Sequence, residues 1–223
     1  MKKTLVVILG TVFLLSTLLF GYGTESAFAA SPADLLAKGK QIQGISYDFT
    51  SKIKDVTMSG KVWAQKNKVK TEMTVSGQKM LTIFDNDTVY QCDLANKVAM
   101  KFSLKGMQGF GVQKPKQPAE FNDNFKGGSL KVIQTTIYEG VKCTVMLAVD
   151  KNTNDQMKMW VRDDYGLPMR AEITTSKGEK MVIEYKNMKV GPLPADTFNL
   201  PPGMQIQDMS EMMKHLPKGV GGQ

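Results

Sequence analysis

Met157-Lys158-Met159-Trp160-Val161-Arg162, then Asp163-Asp164-Tyr165-Gly166, then Leu167-Pro168-Met169-Arg170-Ala171-Glu172-Ile173 reads as strand, turn, strand. Met157, Met159 and Val161 fall on every second residue, as do Met169, Ala171 and Ile173, and alternate strand residues share a face. A second turn at Ser176-Lys177-Gly178-Glu179 leads into Met181, Ile183 and Tyr185. The result is a three-stranded meander, apolar on one side and charged on the other. It runs into Gly191-Pro192-Leu193-Pro194-Ala195-Asp196-Thr197-Phe198-Asn199-Leu200-Pro201-Pro202-Gly203, whose prolines lack backbone donors, so the sheet is expected to stop there.

The same period of two extends back along the chain. It carries Ile45, Tyr47, Phe49 and Ile53; Gly60, Val62 and Ala64; Val69, Thr71, Met73 and Val75; and Leu81 to Phe84. It continues through Tyr90, Cys92 and Leu94, then Val98, Met100, Phe102 and Leu104. Hairpin-length turns and no helical crossover imply about six antiparallel strands before residue 105. Leu130 to Ile137 and the odd-numbered Val141, Cys143, Val145, Leu147 and Val149 resume the pattern, for a single sheet of about ten or eleven strands.

Two short helices are expected. Ser31-Pro32-Ala33-Asp34 supplies an N-cap, a proline at the first helical position and an acid that answers the cap, with Gly44 as the stop. Its Leu35, Leu36 and Ile42 form one apolar stripe that should lie on the greasy face of the sheet. Asp208 opens the second, with Met209, Met212, Met213 and Leu216 on one side and Pro217 and Gly219 at its end. Between 105 and 129, Gly106, Gly109, Gly111, Pro115, Pro118, Gly127 and Gly128 rule out a long regular element; Phe110, Phe121 and Phe125 read as a flap that packs part of the time.

Residues 1–30 have the form of an export signal: Lys2 and Lys3, an apolar run from Leu5 to Phe20, then Ala27-Phe28-Ala29. The run is shorter than the roughly 20 residues of a spanning helix, so cleavage is favoured over a retained anchor. With no cysteine near that point, the product is expected to be a released extracytoplasmic or periplasmic protein. The organisation expected is 1–30 signal, 31–204 one domain, and 205–223 a Met-rich helix and tail. The formal charge is +8, or +7 without Lys2, Lys3 and Glu25, and nearly all of it is lysine, since Arg162 and Arg170 are the sole arginines. Nucleic-acid readers lean on arginine forks, so no nucleic-acid partner is expected. The lysine-rich face reads as solubility and edge protection, with transient contact to an anionic membrane surface as the alternative.

No catalytic constellation is legible. The single histidine, His215, has no nucleophile or acid near it in sequence, and Asp163-Asp164 reads as turn chemistry rather than a calcium loop. The glycines at 105–111 lack the partners of a phosphate-binding loop. Met209, Met212, Met213 and His215 are soft ligands at helical spacing, but the same stripe serves packing, and no metal or cofactor is assigned. Cys92 and Cys143 fall on apolar phases of strands, leaving either a disulfide or two buried thiols.

Trp160 near a strand end, the D-x-x-G-L-P turn at 163–168, the rising strand after it and the P-x-x-x-F-x-L-P-x-G run at 194–203 resemble the LolA/LolB-like lipoprotein-carrier superfamily. The resemblance extends over nearly the whole chain after residue 30. It implies a mainly β (α+β) fold: one large curved antiparallel sheet forming a half-open barrel, covered by a few short helices and a flap. It also implies a non-enzymatic carrier of lipoprotein acyl chains or lipids, or a signalling or structural module of that fold that meets an inner-membrane partner protein. The arginine that the carriers place on an early strand has no counterpart here.

The apolar lining expected for such a hollow is Tyr47, Phe49, Val62, Met73 and Val75, then Tyr90, Met100, Phe102, Val145 and Leu147. Met159, Met169, Ile173, Ile183 and Tyr185 complete it. Leu35, Leu36, Phe110, Phe121 and Phe125 would form the lid. A single sheet with one apolar face and so few helices leaves a concavity unfilled. The methionines suit either ligands of varied shape or a plain core.

Overall fold

The computed structural model describes residues 31–75, 77–104, 129–150 and 153–209. The phenylalanines expected in the flap, the export signal and most of the Met-rich helix lie outside them. Helix α1 (Pro32–Ala37) starts at the expected capping box, with the Asp34 N–H donating to Ser31 Oγ at 3.1 Å and the Ser31 N–H donating to Asp34 Oδ2 at 3.2 Å. A 3-10 turn (Lys38–Gln41) follows it into the sheet.

The strands are β1 (Gly44–Ile53), β2 (Val56–Gln65), β3 (Lys68–Val75), β4 (Gln78–Asp85), β5 (Thr88–Asp93) and β6 (Val98–Ser103). They continue as β7 (Ser129–Tyr138), β8 (Val141–Val149), β9 (Gln156–Arg162), β10 (Leu167–Thr174), β11 (Lys180–Val190) and β12 (Gln205–Asp208). Their order is β12-β6-β5-β4-β3-β2-β1-β11-β10-β9-β8-β7. Two meanders, β1–β6 and β7–β11, are thus joined along the antiparallel β1–β11 pair. The sheet is curved and does not close into a barrel.

Three expectations are corrected. The sheet does not stop at the prolines: residues 191–204 lead to β12, which lies parallel to β6, so the sheet is mixed, with twelve strands among the described residues. Asp208 ends that strand rather than opening a helix. The edge of β6 offers unpaired backbone groups, and Gln205 N–H and Met209 N–H donate to the Lys97 and Lys101 carbonyls at 2.7 and 2.9 Å. Nor is the second face purely polar. Leu81, Ile83, Cys92 and Ala99 are buried there under Phe198, with Trp63, Tyr90, Leu193, Leu200 and Met204 around them. The run Leu81-Thr82-Ile83-Phe84 is buried throughout, so β4 is covered on both sides. The proline-rich segment is therefore a strap on the face opposite α1.

Candidate functional site

The face that carries α1 is laid out by strand register. Tyr47 stands opposite Val62, Val62 opposite Thr71, Thr71 opposite Thr82, Thr82 opposite Gln91 and Gln91 opposite Met100. On one side runs the apolar row Ile45, Ala64, Val69, Phe84, Val89, Phe102, and on the other Phe49, Gly60, Met73, Met80. A Cβ at Gly60 would meet the Glu72 carbonyl oxygen at 2.3 Å and Phe49 Cε1 at 2.9 Å, so the missing side chain makes room for that ring. Across the β1–β11 seam Tyr185 faces Phe49, and Ile183, Ala171, Met159 and Met146 continue the apolar surface.

Helix α1 covers the second half of this face, where Leu35 and Leu36 pack in one cluster with Met146, Ala148, Met159, Val161 and Ala171. Its seat is the turn after β9. Gly166 has φ +65°, and a Cβ there would stand 2.0 Å from the Leu35 carbonyl oxygen, so only glycine fits. Lys38 Nζ donates to the Asp163 carbonyl, Thr144 Oγ1 donates to Asp163 Oδ1 at 2.7 Å, and Arg162 grips Asp164 through two bonds of 2.6 and 2.7 Å. The Arg162 guanidinium holds the Asp164 carboxyl below the usual carboxylate range. Asp163 and Asp164 thus serve the turn, as their sequence context indicated.

Of the lining expected from sequence, Tyr47, Phe49, Val62, Met73, Met100, Phe102, Met159, Ile173, Ile183 and Tyr185 share the helix face by register, and the backbone pairing of Val75 with Met58 puts that position there too. Tyr90 does not: it belongs to the cluster under the strap. Val145 and Leu147 are also on the other face, opposite Trp160 and Lys158, while the even-numbered Met146 and Ala148 meet the helix. From Val145 to Val149 strand β8 is apolar on both phases, so alternation there could not choose between them. Met169, beside the irregularity between Pro168 and Arg170, is buried with its sulfur 3.8 Å from Cys143 Sγ. Thr71, Thr82 and Gln91 were not singled out, although each is a polar residue on the apolar phase of its strand.

Cys92 and Cys143 are free and buried. They lie on β5 and β8, far apart in the strand order, which corrects the disulfide alternative. Desolvation pushes the Cys143 thiol up to about 11, with the nearby Asp163 carboxylate adding to the effect, and raises Cys92 as well. Neither is an activated nucleophile.

The polar groups of the helix face are few and poorly solvated. Tyr47 and Tyr185 meet edge to face at 5.5 Å, both partly accessible; desolvation pushes Tyr185 up to about 12 and raises Tyr47 strongly. Thr82 Oγ1 donates to Gln91 Oε1 at 2.9 Å. Ser51 Oγ and Thr71 Oγ1, on residues each 1% exposed, have no hydrogen-bond partner. Among the described residues no cluster of three or more His, Cys, Asp or Glu side chains could hold a metal ion; Met212, Met213 and His215 lie outside them.

No family model matches the chain. An uncharacterised protein of Methanocaldococcus jannaschii is 26% identical over 143 residues, which span 63% of this chain but only 41% of that one. Among solved structures, an uncharacterised conserved protein from Thermus thermophilus superposes with a TM-score of 0.53 at 10% identity, over 78% of this chain and 94% of its own. Pseudomonas aeruginosa MucB, in its complex with MucA, superposes with a TM-score of 0.54 at 15% identity, over 77% of this chain and 62% of the other. A LolA superfamily protein from Nitrosomonas europaea aligns over 77% of this chain and 99% of its own at 12% identity, with a TM-score of 0.31. An open curved sheet, with a capped helix on one face and the proline-rich strap on the other, is the fold this chain shares with the Thermus thermophilus protein and with MucB.

Proposed function

We propose that the protein is a non-enzymatic extracytoplasmic carrier that shelters acyl chains, of a lipid or of a lipid-modified polypeptide, on the helix face of its sheet. The observation that carries this reading is the mismatch between the two sides of that face. Apolar side chains run across it from β6 to β8; on the β8–β10 half they pack with α1, whereas on the other half Tyr47, Met100, Phe102 and Tyr185 stay partly accessible beside the buried Val62, Val69, Met73, Phe84 and Val89. Each methylene moved there from water contributes about 0.8 kcal/mol, so a chain of modest length binds well even after it displaces whatever lies on the surface. Export follows from the signal-like residues 1–30, and the lysine-rich exterior suits work beside anionic membranes.

The test is displacement of a fluorescent fatty acid from the purified protein, with uptake expected at micromolar protein. No uptake would refute the carrier. The likeness to MucB, solved in complex with MucA, supports a second reading, a module that acts through a protein partner. That reading expects no uptake and a stable complex with an envelope protein.

A further inference from the structure

Thr71, Thr82 and Gln91 lie side by side on β3, β4 and β5, and together they form a polar track between two apolar rows. The track is not self-sufficient. Thr82 and Gln91 satisfy one another, and the Gln91 amide reaches the Leu81 carbonyl at 3.5 Å. Thr71 Oγ1 is buried with no partner, and so is Ser51 Oγ on the same face, two strands away on β1. A buried hydroxyl without a partner is rare in native proteins and points to a bound water, ion or ligand group. A hydroxyl flanked by Val62, Val69 and Met73 cannot stabilise an ion by itself. It can donate to a neutral carbonyl oxygen.

We propose that Thr71 donates its hydroxyl hydrogen to the carbonyl oxygen of an acyl ester or amide, so that the site selects acylated molecules over plain hydrocarbon of the same shape. The inference rests on the carrier reading and names its ligand chemistry. The apolar rows on either side of the track, spaced two residues along each strand, take the hydrocarbon, and the linkage crosses the track. The preference comes from the polar partner: a ligand lacking the carbonyl leaves Thr71 unpaired, so it is rejected more strongly than its apolar contacts alone would indicate.

The experiment uses the purified protein, a bound fluorescent fatty acid, and two competitors of equal chain length. Dioctanoylglycerol carries ester carbonyls, and its dioctyl ether analogue does not. The ester is expected to compete about tenfold better, which is about 1.4 kcal/mol. Thr71→Val keeps the shape, so it should leave the ether unchanged or tighter and bring the ester down to match it. Equal competition in the unmodified protein, or an ester preference that survives Thr71→Val, overturns the assignment while leaving the carrier intact. If the fatty acid itself does not bind, the carrier reading fails and this inference falls with it. A diacylglyceryl-cysteine peptide separates the two sources: tighter binding than dioctanoylglycerol supports a lipid-modified polypeptide, and equal binding supports the lipid itself.

Discussion

Phe198→Ala removes the anchor that holds the strap against β4–β6. The ring is 8% exposed and packs on Leu81, Ile83, Cys92 and Ala99. Truncating a buried phenylalanine costs about 3–5 kcal/mol; a strap at the surface can close partly over the gap, so the low end, about 3 kcal/mol, is expected. For a chain of this size that lowers the melting temperature by about 6–12 °C. The loss has a local signature. Cys92, 3% exposed beneath the ring, should react with iodoacetamide at least about tenfold faster, whereas Cys143, buried in a different part of the sheet, should not change. Denaturant melts give the energy, and mass spectrometry of labelled peptides gives the site. A loss under about 1 kcal/mol, or both thiols becoming reactive together, would show that the strap is not a separable clasp.

Gly166→Ala should cost about 2 kcal/mol or more in a denaturant melt, since it adds left-handed strain to a clash with the Leu35 carbonyl; a near-neutral result would unseat α1 from that turn. Thr71→Val should stabilise the ligand-free protein by about 1 kcal/mol, because it deletes an unpaired buried hydroxyl at constant shape; destabilisation would reveal a partner for it. Cys143 keeps its proton in the folded state up to about 11, against 9.0 for a free thiol, so it adds stability below pH 9 that is lost as pH rises through 11. Cys143→Ala should therefore flatten the alkaline limb of a stability–pH profile, and an unchanged limb would contradict the buried thiol. In the acid range Asp164 is held low by Arg162, so its contribution is present above the normal carboxylate pKa and lost on acidification; Asp164→Asn should shallow that limb.

What the sequence disclosed was local. The strict alternation of Met157 to Val161 and Met181 to Tyr185, the capping box at Ser31 and Asp34, and the turn ending in Gly166 each depend on neighbours within a few residues, and each appears where it was expected. The misreadings are nonlocal. Residues 205–208, Gln-Ile-Gln-Asp, are all exposed and carry no apolar period; they become a strand because β6 presents a free edge. In β8, Cys143 and Val145 are as buried as Met146 and Ala148, so periodicity carries no sign and the partner strands decide the face. Leu193, Phe198 and Leu200 were read as punctuation, yet they form the cover of a second core. Most of the residues that share the helix face were legible for the same reason that Tyr90 was misplaced: alternation fixes which residues share a side, but not which side the helix takes.

Position 71 separates a core from a binding surface on energetic grounds. Valine has nearly the shape of threonine and favours strands equally, so a core selected for packing alone would gain by it, with the unpaired hydroxyl costing on the order of 1–3 kcal/mol. Against a total stability of about 5–15 kcal/mol that is a substantial sacrifice. The neighbouring Thr82 and Gln91 do not share the defect, because they pair with each other. The cost therefore falls on Thr71, as it does on Ser51 two strands away, in a stretch of the helix face outside the α1 cluster, and the proposed acyl carbonyl would recover it at Thr71.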